Sequence, residues 1–194
     1  MTARLHLIIG GQRSGKSRHA ERLAKAWLAQ GQARHVTVVA TALAADEEMR
    51  QRIEQHRLDR PVGFETVEAP VALGPVLASL AGPDRLVLID CLTLWLTHVL
   101  MPADAEADMA ELIRVSLAPA KAELLRALAS CKAAGTSVVI ITNEIGAGVI
   151  PLGAEVRAFV DELGRLHQEV AQCCDQITWM VAGQAFTQAV ERGT

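Results

Sequence analysis

The sequence contains few aromatic residues and no excess of positive charge. It has no tyrosine, three tryptophans and three phenylalanines, and its formal net charge is -3 at pH 7. Proteins that bind single-stranded nucleic acid use a basic surface with interleaved aromatic side chains, and phosphate contacts to any nucleic acid need clustered Lys and Arg. The composition therefore argues against a nucleic-acid-binding protein.

Long apolar runs and metal-type cysteine spacings are also missing. The most apolar stretch, residues 86–101, is interrupted by polar residues that include Asp90 and His98, so it is too short and too polar to span a bilayer. The apolar run at the start is five residues long and predicts a first strand rather than a signal peptide. The four cysteines have no zinc-type spacing, and adjacent Cys173 and Cys174 are either redox-active or simply buried on a helix. We expect a reduced, cytoplasmic protein.

Apolar residues make up 51% of the 194 residues, which is enough for a substantial core. Runs rich in β-branched residues alternate with helical patterns. The predicted strands are 4–9, 36–41, 64–69, 86–90, 137–142 and 177–183, with an edge strand at 185–190. The predicted helices are 16–30, 46–58, 70–80, 91–100, 104–134 and 155–174, and Pro119 should kink or divide the fifth. This alternation predicts an α/β fold with a mostly parallel sheet covered by helices on both faces.

The first predicted strand and the loop after it carry a phosphate-binding motif. The apolar run at 5–9 leads into the spacing G-x-x-x-x-G-K-S, with Gly10, Gly15, Lys16 and Ser17 at its fixed positions. Glycines let backbone N–H groups close around a phosphate chain, the lysine reaches the outer oxygens, and the serine hydroxyl ligates Mg²⁺. Because the motif follows a buried strand and opens a helix, it predicts nucleotide binding rather than a glycine-rich turn without a ligand.

Polar residues follow several of the other predicted strands. In an open parallel sheet, ligands bind beyond the carboxyl ends of the strands. Asp90 ends the fourth strand, where P-loop proteins keep the carboxylate that holds Mg²⁺; the alternative is an N-cap for the helix that begins at Cys91. The same rule nominates Thr41. Glu144 either orients a nucleophile or a ligand hydroxyl or is a solvated loop acid, and the spacing does not decide between them.

The predicted helix after the second strand is unusually basic for an acidic chain. Its segment RQRIEQHRLDR, residues 50–60, holds four arginines and two acids. Arg52 and His56 share a helix face at i, i+4 spacing, and Arg57 and Arg60 lie close by. Nearby cations favour a neutral, nucleophilic imidazole and attract a triphosphate. A histidine on a charged helix is often only exposed, however, so the residues alone leave both interpretations open.

Five stretches together resemble the bifunctional adenosylcobinamide kinase/adenosylcobinamide-phosphate guanylyltransferase family of cobalamin biosynthesis. They are GGQRSGKSRHAE at 10–21, AADEEMRQRIEQHRLDRP at 44–61, IDCLTLWLTHVL at 89–100, TNEIGAGVIP at 142–151 and GRLHQEVAQCCDQITWMVAG at 164–183. The phosphate loop is shared with many families, whereas R-x-x-x-H-R-x-x-R-P and T-N-E-I-G-x-G are far more specific. His98 and His167 depart from the asparagine expected in many members.

The resemblance implies two reactions. In the first, the γ-phosphoryl group of ATP or GTP passes to the aminopropanol hydroxyl of adenosylcobinamide. In the second, GMP from GTP passes to the resulting phosphate through a guanylylated histidine, and pyrophosphate is released. On the family motif that histidine is His56. The resemblance also implies a single RecA-like P-loop nucleotide-binding domain across residues 1–194 and assembly as a homotrimer.

The motifs predict one nucleotide site that uses Mg²⁺ as cofactor, and the resemblance implies GTP, ATP and a corrinoid as its substrates. The catalytic residues are His56 and Lys16, and the metal ligands are Ser17 and Asp90. The nucleotide-binding residues are Gly10, Gly11, Gln12, Arg13, Ser14, Gly15, Lys16, Ser17, Arg57, Glu68 and Asp90. The alternative functions are a P-loop small-molecule kinase without the guanylyltransferase step and a RecA-like nucleic-acid-dependent ATPase, which the acidic balance disfavours.

Overall fold

Seven strands form one mostly parallel sheet. The computed structural model describes residues 4–31, 33–43, 47, 50, 51, 54, 62–101 and 108–190. The strands are β1 (Leu5–Gly10), β2 (His35–Ala40), β3 (Phe64–Glu68), β4 (Arg85–Asp90), β5 (Ser137–Asn143), β6 (Gln176–Val181) and β7 (Gln184–Ala189). Their spatial order is β3-β2-β4-β5-β1-β6-β7, and only the β6–β7 pair of this sheet is antiparallel. The predicted α/β class and mostly parallel sheet are confirmed.

Helices connect the strands and cover the sheet. Those within the described residues are α1 (Lys16–Leu28), α2 (Leu73–Ser79), α3 (Leu92–Leu100), α4 (Met109–Leu112), α5 (Ala118–Ala133) and α6 (Ala154–Cys173). The predicted helix at 46–58 lies largely outside the described part of the chain. None of the helices in that part is long and apolar enough to cross a membrane.

Pro119 interrupts the regular α-helical pattern of a long helical region, where the sequence predicts a kink or a division. It lies at the start of α5, and residues Ile113–Leu117 form a π-helical turn between α4 and α5. Proline has no N–H to bond the carbonyl four residues earlier, and its ring crowds that carbonyl. The wider π turn, in which the bonds run over five residues, accommodates this missing donor without ending the helical path.

Alternate residues of the buried strands point into two separate cores. In β5, Val138 and Ile140 belong to the core that α2, α3, α5 and α6 cover. Val139 and Ile141 belong to the other core, together with Ala20 and Ala24 of α1. A strand that is buried on both faces needs apolar residues at successive positions, which explains the continuous apolar run. The prediction of helices on both faces is therefore confirmed.

A polar chain crosses three strands near the β7 edge of the sheet. His6 Nε2 lies 2.7 Å from Thr178 Oγ1, which lies 2.7 Å from Thr187 Oγ1. Burial, together with the nearby His19, lowers the pKa of His6 from 6.5 to about 4. His6 is therefore neutral in the folded protein near neutral pH, where it bonds the threonine hydroxyl without carrying a charge into the sheet.

We expect the free energy of unfolding to fall as the pH drops from 6.5 towards 4. The unfolded chain binds a proton at His6 near pH 6.5, whereas the folded protein binds it only near pH 4. Acid therefore favours the unfolded state, by at most about 3 kcal/mol for this group. Urea unfolding at pH 7 and pH 4.5 measures the loss. His6→Gln, which does not titrate, should lose less stability, and an equal loss in both proteins would contradict this origin.

Candidate nucleotide-binding site

The carboxyl ends of the parallel strands bring those predicted site residues that the structure describes to one edge of the sheet. Gly10, the last residue of β1, pairs with Asn143 of β5 on one side and Met180 of β6 on the other. Asp90, the last residue of β4, pairs with Ile141 of β5. One strand, β5, therefore separates the phosphate loop from the carboxylate that the sequence assigns to the metal.

The phosphate loop has the backbone geometry that its glycines predict. Gly15 has a φ of +97°, a left-handed conformation that glycine adopts without steric cost. At Gly10, a Cβ would lie 2.4 Å from the carbonyl oxygen of Met180, so the close packing of β1 against β6 requires glycine there. The loop is also tied to the turn after β6, because Gly183 N–H donates to the carbonyl of Ser14 over 3.0 Å. The fold thus fixes the loop at the start of α1.

Lys16 and Ser14 place polar groups inside this loop. The Lys16 ammonium donates to the carbonyl of Gly11 over 2.7 Å, and the residue is only 7% exposed. Burial lowers the pKa of Lys16, while the nearby Asp90 carboxylate opposes that shift. Ser14 is also 7% exposed, and its buried hydroxyl has no hydrogen-bond partner among the described residues. A buried hydroxyl without a partner is costly, and a phosphate oxygen is the kind of group that satisfies it.

Ser17 and Asp90 line one small cavity of about 10 Å³, which is close to the space that one water molecule or ion needs. A serine hydroxyl and a carboxylate are the hard oxygen ligands that Mg²⁺ prefers, so the residues present fit the metal role. The N-cap alternative for Asp90 does not hold. Helix α3 begins at Leu92 with Cys91 as its N-cap, and no side chain caps it.

Thr41 fixes the backbone that follows Asp90. It is fully buried. Its hydroxyl donates to the carbonyl of Cys91 over 2.7 Å and accepts the N–H of the same residue over 2.8 Å, and its own N–H donates to the carbonyl of Asp90. Burial, together with the charge of Asp90, raises the pKa of the Cys91 thiol to about 11, so this cysteine is not a thiolate nucleophile near neutral pH.

The sequence matches the family model described as Cobinamide kinase / cobinamide phosphate guanyltransferase over residues 6–187. The chain belongs to this family. It is 44% identical over 178 residues to the bifunctional adenosylcobalamin biosynthesis protein CobP of Pseudomonas aeruginosa. The aligned region covers 91% of this chain and 92% of the relative. It is also 35% identical to the CobU protein of Escherichia coli and 34% identical to that of Salmonella typhimurium, each over 91% of this chain and 95% of the relative.

The structure brings together two groups of predicted site residues in this member of the cobinamide kinase family: those of the phosphate loop, and Asp90. They are Gly10, Gly11, Gln12, Arg13, Ser14, Gly15, Lys16 and Ser17, with Gln12 and Arg13 exposed at the tip of the loop. Glu68 lies farther away. It ends β3 at the level of Ala40 and is exposed to solvent. His56 and Arg57 lie outside the described residues, so their predicted roles stay predictions.

The two histidines that the sequence analysis singled out, His98 and His167, lie near the strand ends on either side of β4. Burial lowers the pKa of His98 of α3, against an opposing effect of the Thr41 backbone, and its buried Nε2 atom has no hydrogen-bond partner among the described residues. His167 of α6 lies with its Nε2 atom 2.8 Å from the hydroxyl of Thr142, and burial lowers its pKa against an opposing effect of Glu144. Sequence reasoning found no role for either histidine, because each partner lies far away along the chain.

The Thr142 contact continues into a buried chain of hydroxyls. Thr142 Oγ1 lies 3.0 Å from Thr93 Oγ1, which accepts the N–H of Asn143 over 2.8 Å. A neutral His167 accepts from Thr142, Thr142 accepts from Thr93, and every hydroxyl proton then has a partner. The chain fixes the end of β5 beside the phosphate loop. Thr93 was missed by the sequence analysis, and only its position on the buried start of α3 marks it.

Glu144 follows this chain and contacts the phosphate loop through its backbone. Its N–H donates to the carbonyl of Gly10 over 3.0 Å, while its carboxylate accepts the N–H of Gly146. The carboxylate therefore contributes to the shape of its own loop, and the two roles that the spacing left open stay predictions.

Proposed function

We propose that the protein carries out both activities of its family in sequence, first as adenosylcobinamide kinase and then as adenosylcobinamide-phosphate guanylyltransferase. The observation that carries the proposal is the placement of Lys16, Ser17 and Asp90 at one edge of the sheet in a chain that matches the family over residues 6–187. Phosphoryl transfer is mostly positioning and charge neutralisation. Such an arrangement supplies both.

In the kinase step, the hydroxyl oxygen of the corrinoid attacks the γ-phosphorus of the triphosphate. The bond between that phosphorus and the bridging oxygen breaks, the nucleoside diphosphate leaves, and the hydroxyl proton is released. The loop amides and the buried Lys16 ammonium neutralise the phosphate oxygens, and the unpartnered Ser14 hydroxyl adds a further donor. Ser17 and Asp90 would hold Mg²⁺, which supplies Lewis-acid stabilisation of the phosphate charge.

In the guanylyltransferase step, we assign the nucleophile to His56. Its ring nitrogen attacks the α-phosphorus of GTP, pyrophosphate leaves, and a P–N bond forms. A phosphate oxygen of adenosylcobinamide phosphate then attacks the same phosphorus, and the P–N bond breaks to restore the histidine. The family motif and the four arginines in residues 50–60 support this assignment, because cations favour a neutral imidazole and attract triphosphate.

The remaining features of the predicted site are proposed on general grounds. The seven-stranded sheet that contains every described strand supports a single nucleotide-binding domain across residues 1–194. We propose Mg²⁺ rather than another divalent ion, because it is the usual partner of triphosphates. We also propose a cytoplasmic homotrimer, and light scattering of the purified protein tests the trimer.

Both activities are tested by one assay on the wild-type protein. Adenosylcobinamide is incubated with ATP and Mg²⁺, and then with GTP, and the products are separated and weighed by mass spectrometry. We expect the phosphate first and the GDP derivative after GTP is added. Phosphorylation without the second product would favour the single-activity kinase. No phosphorylation with either triphosphate would reject the proposal.

Asp90→Asn should slow phosphoryl transfer by roughly 100-fold or more, because a metal at a developing charge is worth several kcal/mol. The change keeps the shape of the side chain, so we expect the circular dichroism spectrum and the unfolding midpoint to stay close to wild type. Asp84→Asn is the matched control, since Asp84 is an exposed acid at the opposite end of β4. Normal turnover in Asp90→Asn would exclude the metal role.

A further inference from the structure

The loop between β5 and α6 exposes an unusual amount of apolar surface. Its residues 145–153, IGAGVIPLG, contain no charged or polar side chain. Val149 is 96% exposed, Ile150 76% and Leu152 98%, and Ile145 and Val156 at its two ends are also exposed. Single exposed apolar residues are common, but a cluster of this size on a protein surface marks a binding site.

Both ends of this loop are held by hydrogen bonds. At one end Glu144 donates its N–H to the carbonyl of Gly10 and accepts the N–H of Gly146 on its carboxylate. At the other end the guanidinium of Arg157 in α6 donates to the carbonyls of Pro151 and Leu152. Backbone groups at both ends of the loop are thus bonded within the protein, while Val149, Ile150 and Leu152 are exposed.

The loop begins directly at the phosphate loop. Asn143, the last residue of β5, pairs with Gly10, and the apolar segment starts two residues later. A kinase must hold the acceptor hydroxyl next to the terminal phosphate, so the rest of a large acceptor extends over the surface that borders the phosphate loop. The β5–α6 loop is such a surface.

A second described surface beside the phosphate loop has the opposite character. The groove of about 540 Å³ between α1 and the turn after β6 is lined by Arg18, Arg22 and Lys25, with Glu21 as the opposing charge. Such a groove suits an anion. A corrinoid carries a cationic metal, so a groove lined by three cationic side chains and one acid is a poor site for it. The uncharged β5–α6 loop does not repel that charge, and its exposed apolar side chains suit the methyl groups and ring edges between the polar amide arms of the macrocycle.

We propose that the β5–α6 loop is the corrinoid platform, where Val149, Ile150 and Leu152 contact the apolar part of the macrocycle and leave the aminopropanol arm to reach the phosphate. The inference rests on the proposed function and adds to it the surface that recognises the acceptor. It predicts that the loop governs corrinoid affinity and leaves the chemistry of GTP untouched.

The double variant V149S/L152S tests the platform in the full-length protein. We expect the KM for adenosylcobinamide in the kinase reaction to rise about tenfold or more, with kcat little changed, because two apolar contacts are lost. The Kd for the corrinoid, measured by equilibrium dialysis and its visible absorbance, should rise in parallel. Labelling of the protein by GTP alone should stay at the wild-type level, since no corrinoid takes part. Val62→Ser is the matched control. Val62 is 99% exposed just before β3, so it lies at the amino ends of the strands, opposite the phosphate loop.

Three results would overturn the inference. If wild type phosphorylates the corrinoid and V149S/L152S keeps its Kd and KM, the platform lies elsewhere while the proposed function stands. If the variant changes the molar mass measured by light scattering, a second copy of the chain covers the loop. If wild type neither binds nor phosphorylates the corrinoid, the proposed function fails and the platform fails with it.

Discussion

Lys16→Ala should reduce kinase turnover by about 100-fold or more while the protein stays folded. Lys16 is buried at the start of α1, and its ammonium spans the phosphate loop to the carbonyl of Gly11. In the presence of a triphosphate, that ammonium can exchange the carbonyl for phosphate oxygens on which charge develops. Removing one such preorganised donor typically costs a factor of 100 to 1,000, roughly, in rate.

The measurement is steady-state phosphorylation of adenosylcobinamide, together with a nucleotide titration and a circular dichroism spectrum of the same preparation. Arg126→Ala is the control, because Arg126 is an exposed cation on α5 and lies outside the phosphate loop and the groove beside it. We expect weaker triphosphate binding and lost turnover in Lys16→Ala and little change in Arg126→Ala. Full turnover in a folded Lys16→Ala protein would mean that this loop does not bind the reacting phosphates.

His56→Ala should abolish guanylyl transfer and leave much of the kinase activity. The histidine belongs to the segment R-x-x-x-H-R-x-x-R-P of the family resemblance, and its arginine neighbours favour a neutral ring. Without the imidazole no P–N bond forms, so the two-step route is lost altogether. The phosphate loop is unchanged, and the kinase step needs no covalent intermediate.

Two assays on one preparation separate the activities. Label from α-labelled GTP reports the protein-bound GMP, and corrinoid phosphorylation reports the kinase step. His35→Ala is the control. His35 is an exposed histidine at the start of β2, so it lies at the amino ends of the strands, opposite the phosphate loop. If His56→Ala still takes up acid-labile GMP, another histidine is the nucleophile.

The order of the elements along the chain is readable from the sequence because it depends on local patterns. Runs such as 138–141 and 86–89 are apolar at successive positions, as strands buried on both faces require. Pro119 interrupts a helix for a local reason, its missing N–H. The order of strands in the sheet depends instead on distant pairings, such as β1 between β5 and β6, which no short pattern specifies.

The residues of the candidate site also fall into those that a local pattern predicts and those that only the fold brings together. The phosphate loop and Asp90 were predictable, since the first is a contiguous motif and the second ends a strand at the edge where ligands bind. The chain His167–Thr142–Thr93 was not, because its members come from α6, β5 and α3 and meet only in the folded protein. The role of Glu144 also required the structure, which shows its carboxylate bound to Gly146.

The most direct test of the account is the intact mass of the wild-type protein after incubation with GTP and Mg²⁺ in the absence of corrinoid. We predict the addition of one GMP per chain, stable in alkali, lost in mild acid as expected for a P–N bond, and located by peptide mapping at His56. Adding adenosylcobinamide phosphate should remove the GMP and produce the GDP derivative. A protein that transfers GMP to the corrinoid under these conditions, but never carries GMP itself, would contradict the two-step mechanism.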